Sequence, residues 1–234
     1  MNFAICSLSV VPVRNSSNDR SEQLSQLLFG DTVELIDRKG KQWVKVRCSW
    51  DNLVGWVHTN QVQAITPDEF ESFQDNFAYN LELLHPLMSE KFSIPIPFGA
   101  RLPHFDGMRF QLADKTFRYS GQAVFPNDIK SNAEMVLKMA RRLLYAPYQA
   151  GGRSPLGIDA AGFVQIAFQI VGISLYREAS MQLEQGEAID FVEQAQAGDL
   201  AFFENSKGKI NHVGILLNKK EIIHVHGRVK VDAI

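Results

Sequence analysis

The chain has 234 residues, 45% hydrophobic and 21% charged, with a formal net charge of −2. That balance suits a globular protein built as one large or a few small domains. It gives no electrostatic footprint for nucleic acid or an anionic membrane surface, and no apolar run reaches the roughly 18–20 residues of a membrane-spanning helix.

The opening, "MNFAICSLSVVPVR", has no Lys or Arg ahead of its apolar stretch and no small-residue cleavage site. It does not read as an export signal, which predicts a cytoplasmic location; a processed form with a new Met1 is the alternative. Cys6 and Cys48 are the two cysteines, too few for a disulfide framework or a metal knuckle, so neither metal nor cofactor is expected. Val44, Val46 and Cys48 alternate onto one face of "WVKVRC", and Cys6 lies in a similar apolar strand, so both thiols read as small core residues. Residues 66–234 contain no thiol.

Residues 1–65 read as short strands separated by turns, with period-two alternation, a Lys-Gly turn at 39–40 and a lone Gly55 before Trp56. This pattern predicts a small antiparallel barrel. At "TPDEF" the period changes: Thr66 can cap a helix, Pro67 suits its first position, and Glu69 stands where a capping-box partner belongs. The helix is predicted to run through "FESFQDNFAYNLELL" to near Pro86, as a spacer over residues 66–90. Residues 91–126, with Phe-Gly, Asp-Gly and Ser-Gly turns, predict a second, shorter β-unit.

Residues 127–234 open with a predicted helix over about 131–145, its apolar stripe formed by Ala133, Val136, Leu137, Ala140, Leu143 and Leu144. "PLGIDAAGFVQIAF" follows as a glycine-punctuated loop and a second helix, apolar nearly all round except at Gln165 and Gln169, which predicts burial. "GDLAFF", "HVGILLN" and "EIIHVHG" complete the domain as strands. Helices followed by an antiparallel sheet make an α+β pattern.

In order, "PYQAGGRSPLGIDAAGFVQ", "AGDLAFF", "NHVGILL" and "IIHVHG" resemble the NlpC-type cysteine endopeptidases that cut bacterial cell-wall peptides. "FGDTVELID", "QWVKVRC" and "GWVHTNQV" are similar to a bacterial SH3-like domain, and residues 91–126 also look SH3-like. The resemblance implies a papain-like NlpC-type C-terminal domain behind two small SH3-like barrels, and a subgroup that trims short murein peptides carrying a free N-terminal amine. It implies a thiolate at the start of the buried helix, where unpaired N–H groups and the helix dipole favour negative charge. His212 would take the thiol proton and His224 would orient His212. If the turn at 218–220 centres the hairpin on Lys219, His212 faces His226, and His224 lies diagonally on the same face at roughly 7–8 Å. A register one residue different would separate the two histidines.

The family's nucleophile position holds Ala160, its serine neighbour is Ala161, and Ala150 stands where a tryptophan belongs. Tyr148, Gly151, Gly152 and Asp159 match, and Tyr148 and Asp159 correspond to positions that line the substrate cleft and help hold the peptide's amine end. Asp159 reads equally as a helix cap. With no thiol at position 160, the chain is expected to be an inactive homologue that binds a murein-derived peptide through Tyr148, Asp159, Ala150 and Ala161, or that regulates a partner. Two other readings stand beside it: an active cell-wall endopeptidase into which the alanines were introduced, and a protein-interaction module whose SH3-like units bind a partner while the C-terminal domain is structural. Three scattered replacements argue against an introduced knockout, which normally changes one residue.

Overall fold

A computed structural model describes residues 2–234, apart from the side chain of Val192. The chain separates into two compact units, one reaching to Asp128 and one spanning Ile129–Ile234. Among the described residues, strands dominate and four α-helices appear.

The first unit begins with β1 (Phe3–Ile5), β2 (Val10–Arg14), β3 (Gln23–Leu28), β4 (Thr32–Lys39), β5 (Trp43–Cys48), β6 (Val54–His58) and β7 (Gln63–Ile65). They form one sheet in the order β3-β2-β6-β5-β4-β1-β7. The predicted barrel does not close: β3 and β7 remain its edges, and β2 meets β6 at the single pair Arg14↔Trp56. Strand alternation places Val44, Val46 and Cys48 in one core with Cys6, Val11 and Val57. Neither cysteine is in a disulfide, both are fully buried, and burial pushes the Cys6 thiol up to about 12.

The capping box at Thr66 forms as predicted: its hydroxyl accepts from Glu69 N and its own N–H donates to the Glu69 carboxylate at 2.8 Å. The helix it starts, α1 (Pro67–Asp75), is far shorter than the predicted spacer. Asn76 turns the backbone to φ −127°, ψ 94°, and "FAYN" becomes β8 (Phe77–Asn80), all four residues buried. The apolar run that reads as a helix face is instead a strand held between β11 (Arg101–Pro103) and β14 (Ala123–Val124). "LHPLM" also becomes a strand.

That strand, β9 (Leu84–Met88), lies in a second sheet ordered β10-β9-β13-β12, with β10 (Ser93–Pro97), β12 (Arg109–Leu112) and β13 (Lys115–Arg118). Pro86 faces Pro95 directly. An antiparallel ladder tolerates this where the facing pair exchanges no N–H bond, and Pro95 on β10 also protects the sheet edge. Asn80 ties the two small sheets together. It is fully buried, its amide donates to the carbonyls of Glu82, Ile96 and Pro97, and its oxygen accepts from Glu82 N and the Tyr119 hydroxyl. Ile5, Phe29 and Ile65 of the first sheet share a core with Phe73, Leu87, Ile96 and Phe117.

The second unit contains α2 (Ala133–Arg142), a short hairpin of β15 (Arg153–Ser154) and β16 (Gly157–Ile158), α3 (Ala160–Ile170) and α4 (Ala179–Leu183). An antiparallel meander follows: β17 (Leu200–Glu204), β18 (Ile210–Asn218), β19 (Glu221–His226) and β20 (Arg228–Ala233). Asn132 caps α2, whose buried face is Val136, Leu137, Met139 and Ala140; Ala133, in the first turn, stays exposed. Ten of the eleven residues of α3 are buried, and the helix packs on β18 and β19. Its two glutamines are bonded inside the core: Gln165 donates to Leu175 O at 3.0 Å, and Gln169 accepts from the buried Arg153 at 2.6 Å. No helix among the described residues is long and apolar enough to cross a membrane.

Candidate active site

The helix start is held by charge. Asp159 is the N-cap of α3, and its Oδ1 accepts from Gly162 N at 2.7 Å, while Oδ2 accepts from Gly151 N at 2.9 Å. Arg177 grips the same carboxylate with both terminal nitrogens, at 2.9 and 2.7 Å, and also donates to Gly152 O at 3.2 Å. These four contacts use the acceptor directions of an ionised carboxylate. Arg177 is only 5% exposed and the Asp159 side chain 21%, so the guanidinium is the buried member of a partly buried pair.

The loop before the hairpin is drawn onto the helix by the same network. Gln149 N donates to Ile158 O, Asp159 N donates to Gly152 O, and Tyr148 N donates to Gly227 O. Glycine is required at the closest point: a Cβ on Gly162 would stand 2.3 Å from Gly152 O. This brings Tyr148, Ala150, Asp159, Ala160 and Ala161 into one connected group. Tyr148 is 54% exposed and Ala150 is exposed, while Ala160 and Ala161 are buried in the first turn of α3. Gln182 donates to Ala161 O at 3.1 Å and fixes that turn from α4.

The histidines meet on the sheet. Gly214 faces His224, Ile215 faces Ile223 and Leu216 faces Ile222, which is the register that sets His212 and His224 diagonally on one face. Gly214 is needed there, because a Cβ would stand 2.8 Å from the Cβ of His224. His212 Nε2 lies 2.9 Å from His224 Nδ1, with the rings near perpendicular at 81°. His224 Nε2 lies 3.0 Å from Asp232 Oδ2, which also takes Lys230 at 2.7 Å.

This chain assigns the tautomers. With both rings neutral, and since a carboxylate only accepts, His224 donates through Nε2 and accepts at Nδ1; His212 then donates through Nε2 and keeps a basic lone pair on Nδ1. Burial, then the neighbouring His224 and His226, hold the His212 imidazole below its ordinary 6.5. Lys230 and His224 hold the Asp232 carboxyl below its ordinary 3.8. His226 is exposed and takes no part in the relay.

The shifted imidazole makes stability depend on pH. The unfolded chain protonates position 212 near 6.5, while the folded chain resists until lower pH, so stability falls as pH drops from 6.5 toward the folded value. His212→Gln is expected to flatten that part of the melting-temperature profile between pH 7 and 5. An unaltered slope would show that His212 is not held neutral by the fold.

Sequence reasoning missed Asp232, Arg177, Gln182 and Phe203. Asp232 lies on β20, whose "VKVD" alternation after Gly227 is a strand signal of the ordinary kind. Phe203 faces His212 across β17 and β18 with ring centroids 5.7 Å apart, so it flanks the imidazole. Arg177 and Gln182 carry no local signal: their roles exist only once α3 and the segment after it are packed.

Residues 145–234 match the NlpC/P60 family, and residues 13–62 match the bacterial dipeptidyl-peptidase SH3 domain. A gamma-D-glutamyl-L-lysine dipeptidyl-peptidase of Bacillus cereus is 28% identical over 233 residues, spanning 86% of this chain and 66% of that protein. A probable endopeptidase of Haemophilus influenzae is 33% identical over 121 residues, covering 51% of this chain and 73% of its own length. The crystal structure of an NlpC/P60 family protein from Bacillus cereus shares the fold at a TM-score of 0.88 and 21% identity, covering 99% of this chain and 94% of that one. With the helix start, the meander and these matches together, the chain belongs to the NlpC/P60 family, with a papain-like peptidase domain behind an SH3 domain of the bacterial dipeptidyl-peptidase type.

Proposed function

We propose that this chain is a catalytically silent NlpC/P60 protein that binds a short murein-derived peptide. One observation carries the reading: the first turn of α3 presents the methyl groups of Ala160 and Ala161, while a complete His212–His224–Asp232 relay stands on the sheet that α3 packs against. On this reading Ala160 occupies the place of the attacking sulfur. His212 keeps its basic Nδ1 without a thiol to deprotonate, and an imidazole alone forms no acyl intermediate. The backbone N–H groups at the helix start, the exposed ring of Tyr148 and the small side chains of Ala150 and Ala161 then serve binding. Asp159 acts through the helix start, since its oxygens are committed to Gly151, Gly162 and Arg177.

The ligand class follows from the relatives, which act on gamma-D-glutamyl-L-lysine peptides. Calorimetry with L-Ala-γ-D-Glu-L-Lys is expected to give saturable heat with the unaltered chain. No heat with this or any L-Ala-γ-D-Glu peptide would remove the ligand from the account.

A further inference from the structure

We infer that the exposed face of the sheet β9–β13–β12 carries a separate binding site for an oxyanion, a carboxylate or phosphate, borne beside an apolar group. The site lies wholly in the first unit and does not rest on the peptide-binding proposal. Its centre is Arg118, which faces Arg109 on β12 and Met88 on β9. Directly opposed residues share a sheet face, so two exposed guanidiniums stand side by side.

Like charges in that arrangement oppose folding. An acid between them would be the usual remedy, and only Arg109 has one: its Nε lies 3.5 Å from Asp106. Asp106 is itself committed, since its Oδ1 accepts from the backbone N–H of Met108 and Arg109 at 2.9 and 2.8 Å. The Arg118 side chain has no hydrogen-bond or ion-pair partner among the described residues. An oxyanion bridging the two forks satisfies both, because the planar guanidinium matches carboxylate and phosphate oxygens in pairs.

The arginines line a hollow of about 740 Å³, with Met88, Asp106, Met108 and Tyr119 around them. Met108 is 75% exposed, an unusual place for a large apolar side chain. Its backbone is fixed at both ends, by Asp106 at N and by Tyr119 N donating to its carbonyl at 2.9 Å. The turn therefore anchors the backbone from which the Met108 thioether reaches the rim. Flexible thioethers beside a paired cation suit a ligand whose anionic group is attached to an aliphatic one.

The test is a titration of the full chain labelled with ¹³C at its methionine methyl groups. The probes are N-acetylleucine, its neutral analogue N-acetylleucinamide, and inorganic phosphate. The Met88 and Met108 signals are expected to shift saturably with N-acetylleucine, with half-saturation below about 1 mM, and not with the amide. A matching shift with phosphate would identify the oxyanion as sufficient; a shift with N-acetylleucine alone would assign the site to carboxylates with an apolar arm; a shift with phosphate alone would overturn the role given to the apolar group. Arg118→Gln is expected to weaken binding at least tenfold and leave the melting temperature unchanged or higher. The inference is overturned if neither anion shifts these signals saturably, if the amide shifts them as strongly as the acid, or if Arg118→Gln leaves binding intact or lowers the melting temperature.

Discussion

Asp159→Ala is expected to destabilise the C-terminal unit by about 3–5 kcal/mol, the cost of leaving the buried Arg177 guanidinium without a carboxylate to balance its charge. Arg177 is 5% exposed and Asp159 side-chain exposure is 21%, so solvent screens the guanidinium poorly once the carboxylate is gone. The same change removes the N-cap of α3, a contribution of about 1 kcal/mol, and frees Gly151 N and Gly162 N. At about 4 °C per kcal/mol for a unit of this size, the melting temperature should fall by about 12 °C or more. Asp159→Asn with Arg177→Leu should recover most of the loss, because asparagine caps a helix and the double change removes both charges. A fall of only a degree or two for Asp159→Ala would show that the Arg177 charge finds water, and the helix start would then not be the rigid anchor described above.

Ala160→Cys should create a thiol ionised well below the ordinary value near 8.5, in the range of about 3.5–7.5 found beside an imidazole or at a helix N-terminus. For a thiol shifted to about 6.5, the gain in thiolate at that pH outweighs the loss of intrinsic nucleophilicity, and alkylation by iodoacetamide should exceed that of free cysteine by about fivefold. The background is clean: Cys6 and Cys48 are fully buried, and the Cys6 thiol is pushed up to about 12. Asp232→Asn or His224→Ala in the Ala160→Cys chain should remove most of the advantage, because the His212 tautomer is set through those two groups. Turnover should remain slight until Ala161→Ser and Ala150→Trp accompany the cysteine. Reactivity equal to that of free cysteine would mean that His212 is not poised at position 160.

The parts of the fold set by local chemistry were legible. The Thr66 capping box and the buried helix that opens at Ala160 follow from residue type and spacing, and the hairpin takes, of the two registers the sequence left open, the one that joins His212 to His224. The spacer helix fails at Asn76 because "FAYN" and "LHPLM" meet neighbouring strands that no local pattern reveals, and pairing overrides helical spacing there. The barrel fails for a related reason: alternation sets which residues face the core but not whether the last strands meet. Within the site, the histidines carried a motif, whereas Arg177 reaches Asp159 from eighteen positions away and became visible only through the packed helix.

Incubating the unaltered chain with L-Ala-γ-D-Glu-L-Lys and following release of free L-lysine tests the proposed loss of chemistry most directly. On the proposed reading, with the Ala160 methyl group where the attacking sulfur belongs, any remaining acceleration from binding and orientation is about 10³–10⁴ over water, too little for detectable release in a day. The account predicts no release from the unaltered chain and release after Ala160→Cys, Ala161→Ser and Ala150→Trp are combined. Steady, enzyme-dependent hydrolysis by the chain with alanine at 160 would contradict it.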